Sequence, residues 1–189
     1  MRSLHAALLA GILVVFAPVA AQATVMLHRS ADELAAMSDA VVVASAERDA
    51  GGGVVAESRW LAGRIVTEVP IRVRVAVAGP WGAGASVTLR LPGGVVGDTG
   101  QRVSGAPVFR AGESYLLFLQ RLPDGAWTVL DMSAGMLPLS VDPARGLLVH
   151  PSRAEGIRFV EPAGGRVVEV AAAGEPLAPF VARLRRSAR

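Results

Sequence analysis

Few side chains in this chain could do chemistry, and their spacing is informative chiefly by what it lacks. There are three histidines, His5, His28 and His150, and no cysteine. Two distant histidines outside the leader, with no HExxH or paired spacing, do not make a zinc site, so neither a metal nor a cofactor is expected. A serine nucleophile needs a histidine base and an orienting acid, and the strand-to-helix G-x-S-x-G elbow is missing. A hydrolase built on this chain would use Ser104, in Arg102-Val103-Ser104-Gly105, or a carboxylate such as Asp98, with His150 brought to Ser104 by folding. His150, beside Pro151 at a hairpin end, reads as an ordinary surface histidine, and Ser104 as a residue bonding its own loop backbone.

The glycine-rich run from Ser86 to Leu119 raises a second chemistry. Gly94-x-x-Gly97-x-x-Gly100 has the look of a phosphate cradle. Such a cradle needs a helix start behind it to aim amides and a dipole at the phosphate, and Gln101 to Phe109 contains Gly105 and Pro107 instead. Nucleotide binding is therefore not expected. The default is a compact Ω-like loop, with Asp98, Gln101 and Arg102 as the side chains to meet a partner.

A third possibility is electrostatic. Strand residues two apart point the same way, which places Arg72 and Arg74 on one sheet face and Arg90 on the neighbouring strand. That face would suit an anionic polymer or lipid headgroup, or would be solvated and paired, with Glu68 as one partner. Aromatic residues make up only 5% of the chain, too few to stack nucleic-acid bases, so no nucleic-acid partner is expected. The formal net charge is +3, and the basic residues are all arginine. That arginine usage fits a GC-rich bacterial composition and says little about partners.

The first residues, MRSLHAALLAGILVVFAPVAAQA, join a basic start at Arg2 to an apolar run and the small-x-small sequence Ala21-Gln22-Ala23. This is the pattern of an export signal cleaved after Ala23 (residues 1–23), and no transmembrane segment is expected in the mature chain. With no cysteine available for disulfides, an exported domain must be held by burial alone. Residues 24–189 are long enough for that: a single domain of this size buries roughly 70% of the surface its unfolded chain exposes.

The elements follow from patterning. Ser30-Ala31-Asp32-Glu33 is a capping box opening a short helix to about Ser38. Val41 to Arg48 is a β-branched strand. In RIVTEVPIRVRVAVAG, Ile65, Thr67, Val69, Ile71, Val73, Val75 and Val77 alternate with Arg64, Glu68, Arg72 and Arg74, which gives a long strand with one buried face. Pro70 lacks an amide donor and places that segment at an edge or bulge. Val87 to Leu91 is a further alternating strand, and Tyr115 to Leu122 an apolar, central one. Pro123-Asp124-Gly125 makes a hairpin with Trp127 to Leu130. LPLSVDPARGLLVHP is another hairpin, and shorter strands follow at Ile157 to Val160 and Val167 to Val170. Leu177, Phe180, Val181 and Leu184 form the stripe of a terminal amphipathic helix.

SDAVVVASA, the alternating strand, VTLRLPGGVVGDTGQRVSGAP and FRAGESYLLFL resemble a set of uncharacterised exported bacterial proteins. More distantly, Asp39-Ala40-Val41-Val42, the long strand ending at Gly79 and the Gly112-Glu113-x-Tyr115-Leu116 turn are similar to the netrin-like barrel, the OB-type domain of metalloproteinase inhibitors. That resemblance implies an OB-like antiparallel barrel. The family's inhibition uses an amino-terminal cysteine, which this chain lacks, so the mechanism does not carry over. The expectation is a mainly β protein with short helices at both ends, residues 24–130 forming the barrel and 131–189 a hairpin extension and helix. Its expected role is non-catalytic binding of another envelope protein or an anionic polymer in the periplasm or outside the cell, with a structural accessory domain as a further option.

Overall fold

The structure is a computed structural model, and it describes residues 24–152, 157–169 and 173–187. The expected signal and its cleavage point at Ala23 lie outside these residues. In chain order the strands are β1 (Thr24–Leu27), β2 (Ala40–Ala46), β3 (Glu57–Leu61), β4 (Arg64–Ala78), β5 (Ser86–Pro92), β6 (Gly94–Val96) and β7 (Thr99–Gln101). They continue with β8 (Tyr115–Arg121), β9 (Trp127–Val129), β10 (Met136–Asp142), β11 (Gly146–Val149), β12 (Ile157–Val160), β13 (Val167–Val168) and β14 (Glu175–Pro176). Two α-helices, α1 (Ala31–Met37) and α2 (Leu177–Ser187), and a 3₁₀ turn at Met132–Gly135 complete the described elements.

Five strands close a barrel. β2 pairs with β4, β4 with β5, β9 with β8 and β8 with β2, all antiparallel, and a parallel contact of β5 with β9 at Leu89 and Trp127 seals the ring. Trp81 packs edge-on to Trp127 at 4.4 Å between ring centroids, covering that short seam. The mainly β class and the barrel are as expected. The β10–β11 hairpin continues the sheet outward from β8, and β14 continues it from β11.

β2 and β8 are buried on both faces because the runs Ala40–Ala44 and Leu116–Leu119 are wholly apolar, and the one hydroxyl further along β2, Ser45, is met by Arg74. Val42, Ala44, Leu117 and Leu119 fill the barrel, while Val41, Val43, Leu116 and Phe118 face a second core. That core receives Leu34 of α1, Leu137 and Val149 of the hairpin, and the Leu177, Phe180, Val181 and Leu184 stripe of α2. α1 begins as its sequence requires: the Ser30 side chain accepts from the Glu33 amide and the Glu33 carboxylate accepts from the Ser30 amide at 2.7 Å. These hydrogen bonds also hold the Glu33 carboxyl below the usual carboxylate range, the backbone donor having the largest effect.

The long strand departs from strict alternation. Val43 pairs with Val75 and Ala44 with Val73, so Arg74 is an extra residue, a β-bulge. Val73 faces the barrel interior, but the bulge turns Val75 out, and it is 40% exposed. Pro70 is not at an edge, because β4 lies between β5 on one side and β3 and β2 on the other. Its carbonyl accepts the Glu47 amide at 2.9 Å on the β2 side, so its missing donor faces the gap between β3 and β2.

The glycine-rich stretch is not an Ω-like loop but a small hairpin. Val96 pairs with Thr99 across Gly97-Asp98, and Gly97 has φ +57°, the conformation that the first loop residue of a type II′ turn needs. Gly94 lets the hairpin lie against the β3–β4 pair. A Cβ there would stand 2.3 Å from Thr67 Oγ1 and 2.4 Å from Ser58 Oγ, two hydroxyls already bonded to each other at 2.9 Å. Gly94→Ala should cost about 3 kcal/mol in urea unfolding, since strain at its φ of +134° adds to the clash. Gly112→Ala, at φ +80° with open space around it, should cost about 1 kcal/mol. Equal losses for the two would contradict the close-approach role.

Candidate functional site

The segment leaving β7, residues 102–110, forms one wall of a groove of about 1,070 Å³, and β10 with the end of β11 forms the other. Arg102, Ser104 and Val108 line the first wall, Pro138, Ser140 and His150 the second, with Tyr115 and Met136 also lining the groove. The first wall is held by a bond from the Ser133 amide to the Gly105 carbonyl at 2.8 Å. Phe109 also anchors it, buried and edge-on to Tyr115 at 5.4 Å. Between these anchors Val108 is 70% exposed, a large apolar side chain turned outward between buried Pro107 and buried Phe109.

Tyr115 is the best-defined polar group here. Its hydroxyl donates to Glu113 Oε2 at 2.7 Å and accepts from the Arg110 amide at 3.0 Å. Burial first, and then the hydrogen bond to the Glu113 carboxylate, push the phenol up to about 12.

Ser140 and His150 meet at 2.7 Å between Oγ and Nε2. The contact follows from register: Ser140 pairs with Leu148 across the β10–β11 turn, which leaves His150 as its diagonal neighbour. His150 is therefore not an ordinary surface histidine. It is half-buried, its ring lies on the Gly174 backbone, where a Cβ would come within 2.7 Å, and its Nδ1 is buried with no partner among the described residues. No carboxylate among them orients the imidazole, so the pair is a dyad and not a triad.

The expected site residues are scattered. Asp98 is exposed at the β6–β7 turn, Ser104 and Arg102 are exposed at the groove, and no hydrogen bond joins Ser104 to His150 among the described residues. Gln101 is structural: its side-chain oxygen accepts the Ile65 amide at 2.8 Å and fastens β7 to the start of β4. The arginines do not form one open cationic face. Arg72 and Arg90 pair with Ser86 and Glu68 across the β4–β5 ladder, four ladder positions apart, or roughly 13 Å along the strands. Arg72 binds Glu47 at 3.0 Å and the Gly84 carbonyl at 3.2 Å, and Arg74 reaches Ser45 Oγ at 3.4 Å. Arg90 sits between Glu68, at 3.7 Å, and Asp124. Glu68 also receives Arg59 at 2.7 Å, and the Arg90 bond, aided by the Ala126 amide, holds the Asp124 carboxyl below its usual range. No group of three metal-ligating side chains occurs among the described residues. No described helix is long and apolar enough to cross a membrane.

Sequence reasoning missed Ser140, His150 as its partner, and Tyr115 with Glu113. The hairpin loop Asp142-Pro143-Ala144-Arg145-Gly146 was the available signal, because Asp142 pairing with Gly146 fixes the Ser140–His150 diagonal.

The chain has a single tyrosine, so ultraviolet titration of the phenolate reads Tyr115 alone. Its midpoint should fall near pH 12 and not near the free value of about 10. A folded value raised above the unfolded one means that its contribution is complete below about pH 10 and is lost as pH rises through about 12. A midpoint near 10 in the folded protein would contradict the buried Tyr115–Glu113 arrangement.

Comparisons with family models, with curated proteins and with solved structures each returned no significant match.

Proposed function

We propose that this chain is an exported, non-catalytic binding module of the bacterial envelope, and that the groove between residues 102–110 and β10 takes an extended segment of another envelope protein. The observation that carries the reading is the groove itself, lined by both polar and apolar side chains and walled on one side by irregular chain anchored at Gly105 and Phe109. Exposed Val108 supplies an apolar contact, and Arg102, Ser104 and Ser140 supply polar ones. A fixed channel of this kind favours a partner that arrives extended, because little of the protein has to be ordered on binding.

The pairing of Arg59, Arg72 and Arg90 with Glu47, Glu68 and Asp124 weighs against the anionic-polymer partner, since those charges are already compensated. The leader-like amino-terminal sequence supports export, and the five-stranded barrel is compatible with the distant likeness to netrin-like, OB-type domains. Peptides selected from a random displayed library should slow amide exchange in residues 102–110 and 136–140, and Val108→Asp should weaken them at least tenfold. Binding that depends steeply on salt and maps to Arg72 and Arg90 would overturn the assignment.

The Ser140–His150 contact favours a second reading, a hydrolase, with Ser140 and not Ser104 as its nucleophile. A fluorophosphonate probe decides between the two. The binding reading predicts no labelling of Ser140 above that of denatured protein. Labelling abolished by both Ser140→Ala and His150→Ala would establish the hydrolase.

A further inference from the structure

A cavity of about 270 Å³ lies between the helical layer and the β10–β11 hairpin, with Leu34, Leu137, Val149, Phe159 and Phe180 around it. Its arginines are already paired, Arg29 with Asp131 and Arg183 with Asp32 and Glu175, so it shows no preference for a charged ligand. An unmet demand lies instead at the outer edge of β3. That strand pairs with β4 on one side and has no described strand on the other. Which backbone groups face the open side follows from register, because peptide groups in an antiparallel ladder alternate between the two neighbours. The Ile65 carbonyl accepts the Gly93 amide on the β5 side of β4, so Arg64, Val66 and Glu68 turn theirs to β3. Leu61, Arg59 and Glu57 answer them, and Ser58 and Trp60 are left with N–H and C=O pointing outward. One turn of the chain earlier, the Val55 amide donates to the Glu47 carbonyl at 2.9 Å, and Ala56 makes no main-chain hydrogen bond among the described residues.

Nothing blunts this edge. Residues 55–61 contain neither proline nor glycine, and Trp60 is 53% exposed. The charges are also incompletely matched. Glu57 stands directly opposite Glu68 on the β3–β4 ladder, a like-charge pair. Arg59 compensates Glu68, placing Nε and Nη2 on one carboxylate oxygen, but Glu57 has no ion pair and Arg59 Nη1 no hydrogen bond among the described residues. The sequence of the edge, Val55-Ala56-Glu57-Ser58-Arg59-Trp60-Leu61, is complementary to itself read backwards. Turned about Ser58, an antiparallel copy sets Arg59 opposite Glu57, the large Trp60 opposite the small Ala56, and Leu61 opposite Val55. A register turned about Trp60 would set Arg59 against Leu61 and lose the charge match.

The geometry points to a two-fold dimer in which β3 pairs antiparallel with β3 of a second copy, with Ser58 at the axis. The two Ser58 residues exchange N–H to C=O bonds, and Glu57 of each copy meets the free side of the Arg59 guanidinium of the other. Sedimentation velocity of the purified chain over a range of concentrations should show a reversible monomer–dimer equilibrium. Glu57→Arg and Arg59→Glu should each weaken self-association at least tenfold, since each sets like charges opposite one another across the axis. Mixed together, the two variants should form a one-to-one heterodimer, because two arginines of one then face two glutamates of the other. Circular dichroism checks that both stay folded. Amide exchange at Ser58 and Trp60, which needs no variant, should slow as the unaltered protein is concentrated. A monomer at every concentration, a dimer that Glu57→Arg leaves unchanged, or folded single variants that fail to pair with each other would each overturn the assignment. Val108→Asp, in the groove, should leave the dimer intact, so the two surfaces are tested separately.

Discussion

The structure depends on one constraint: β2 and β8 must be covered on both faces. Their alternating side chains leave no polar side to give to water, since Val41, Val42, Val43, Leu116, Leu117 and Phe118 are all buried. One face is satisfied by closing the barrel. The other requires a second layer, and the chain supplies it from both ends, α1 before β2 and the β10–β11 hairpin with α2 after the barrel. Fully burying each such side chain is worth about 1.5–3 kcal/mol, so with no disulfide available this shared strand pair is the principal link between barrel and layer.

The groove and the cavity are consequences of that arrangement. β10 is bound to β8 by the Met136–Leu117 and Pro138–Tyr115 pairs, so the hairpin leans outward from a rigid strand. Residues 102–110 must return from the β6–β7 hairpin to β8 across the barrel mouth, and the space between the two is the groove. Beside the hairpin, Ala31 of α1 and Ala134 of the 3₁₀ turn are small where larger side chains would fill the layer, and the cavity remains. His150, the residue just after β11, lines both spaces, as does Ser152.

Much of this was legible in the sequence, and the failures have physical causes. The capping box at Ser30, the two-faced strands, the Pro123-Asp124-Gly125 turn and the stripe from Leu177 to Leu184 are local patterns, and local patterns decided those elements. Pro70 and Val75 misled because pairing partners and bulges are properties of neighbours: the end of β3 leaves a gap for the missing donor, and Arg74 shifts the register. Gln101 looked like a ligand residue because nothing in its surroundings reveals that Ile65 needs an acceptor. The arginines looked like a surface for anions because Glu47 and Asp124, far from them in sequence, are brought beside them only by folding. Ser140 and His150 required the hairpin register, which a five-residue loop fixes only when its end pair is known.

The central claim is that β2 and β8 hold barrel and helical layer as one unit, so that groove and cavity exist before anything binds. Native-state hydrogen exchange of the free protein under increasing denaturant tests it most directly. Amides of β2, β8, β10 and α2 should converge on a single opening free energy equal to global unfolding. If β10, β11 and α2 exchange through a separate, lower-energy opening while β2 and β8 stay protected, the layer is a detachable cover and the account is contradicted.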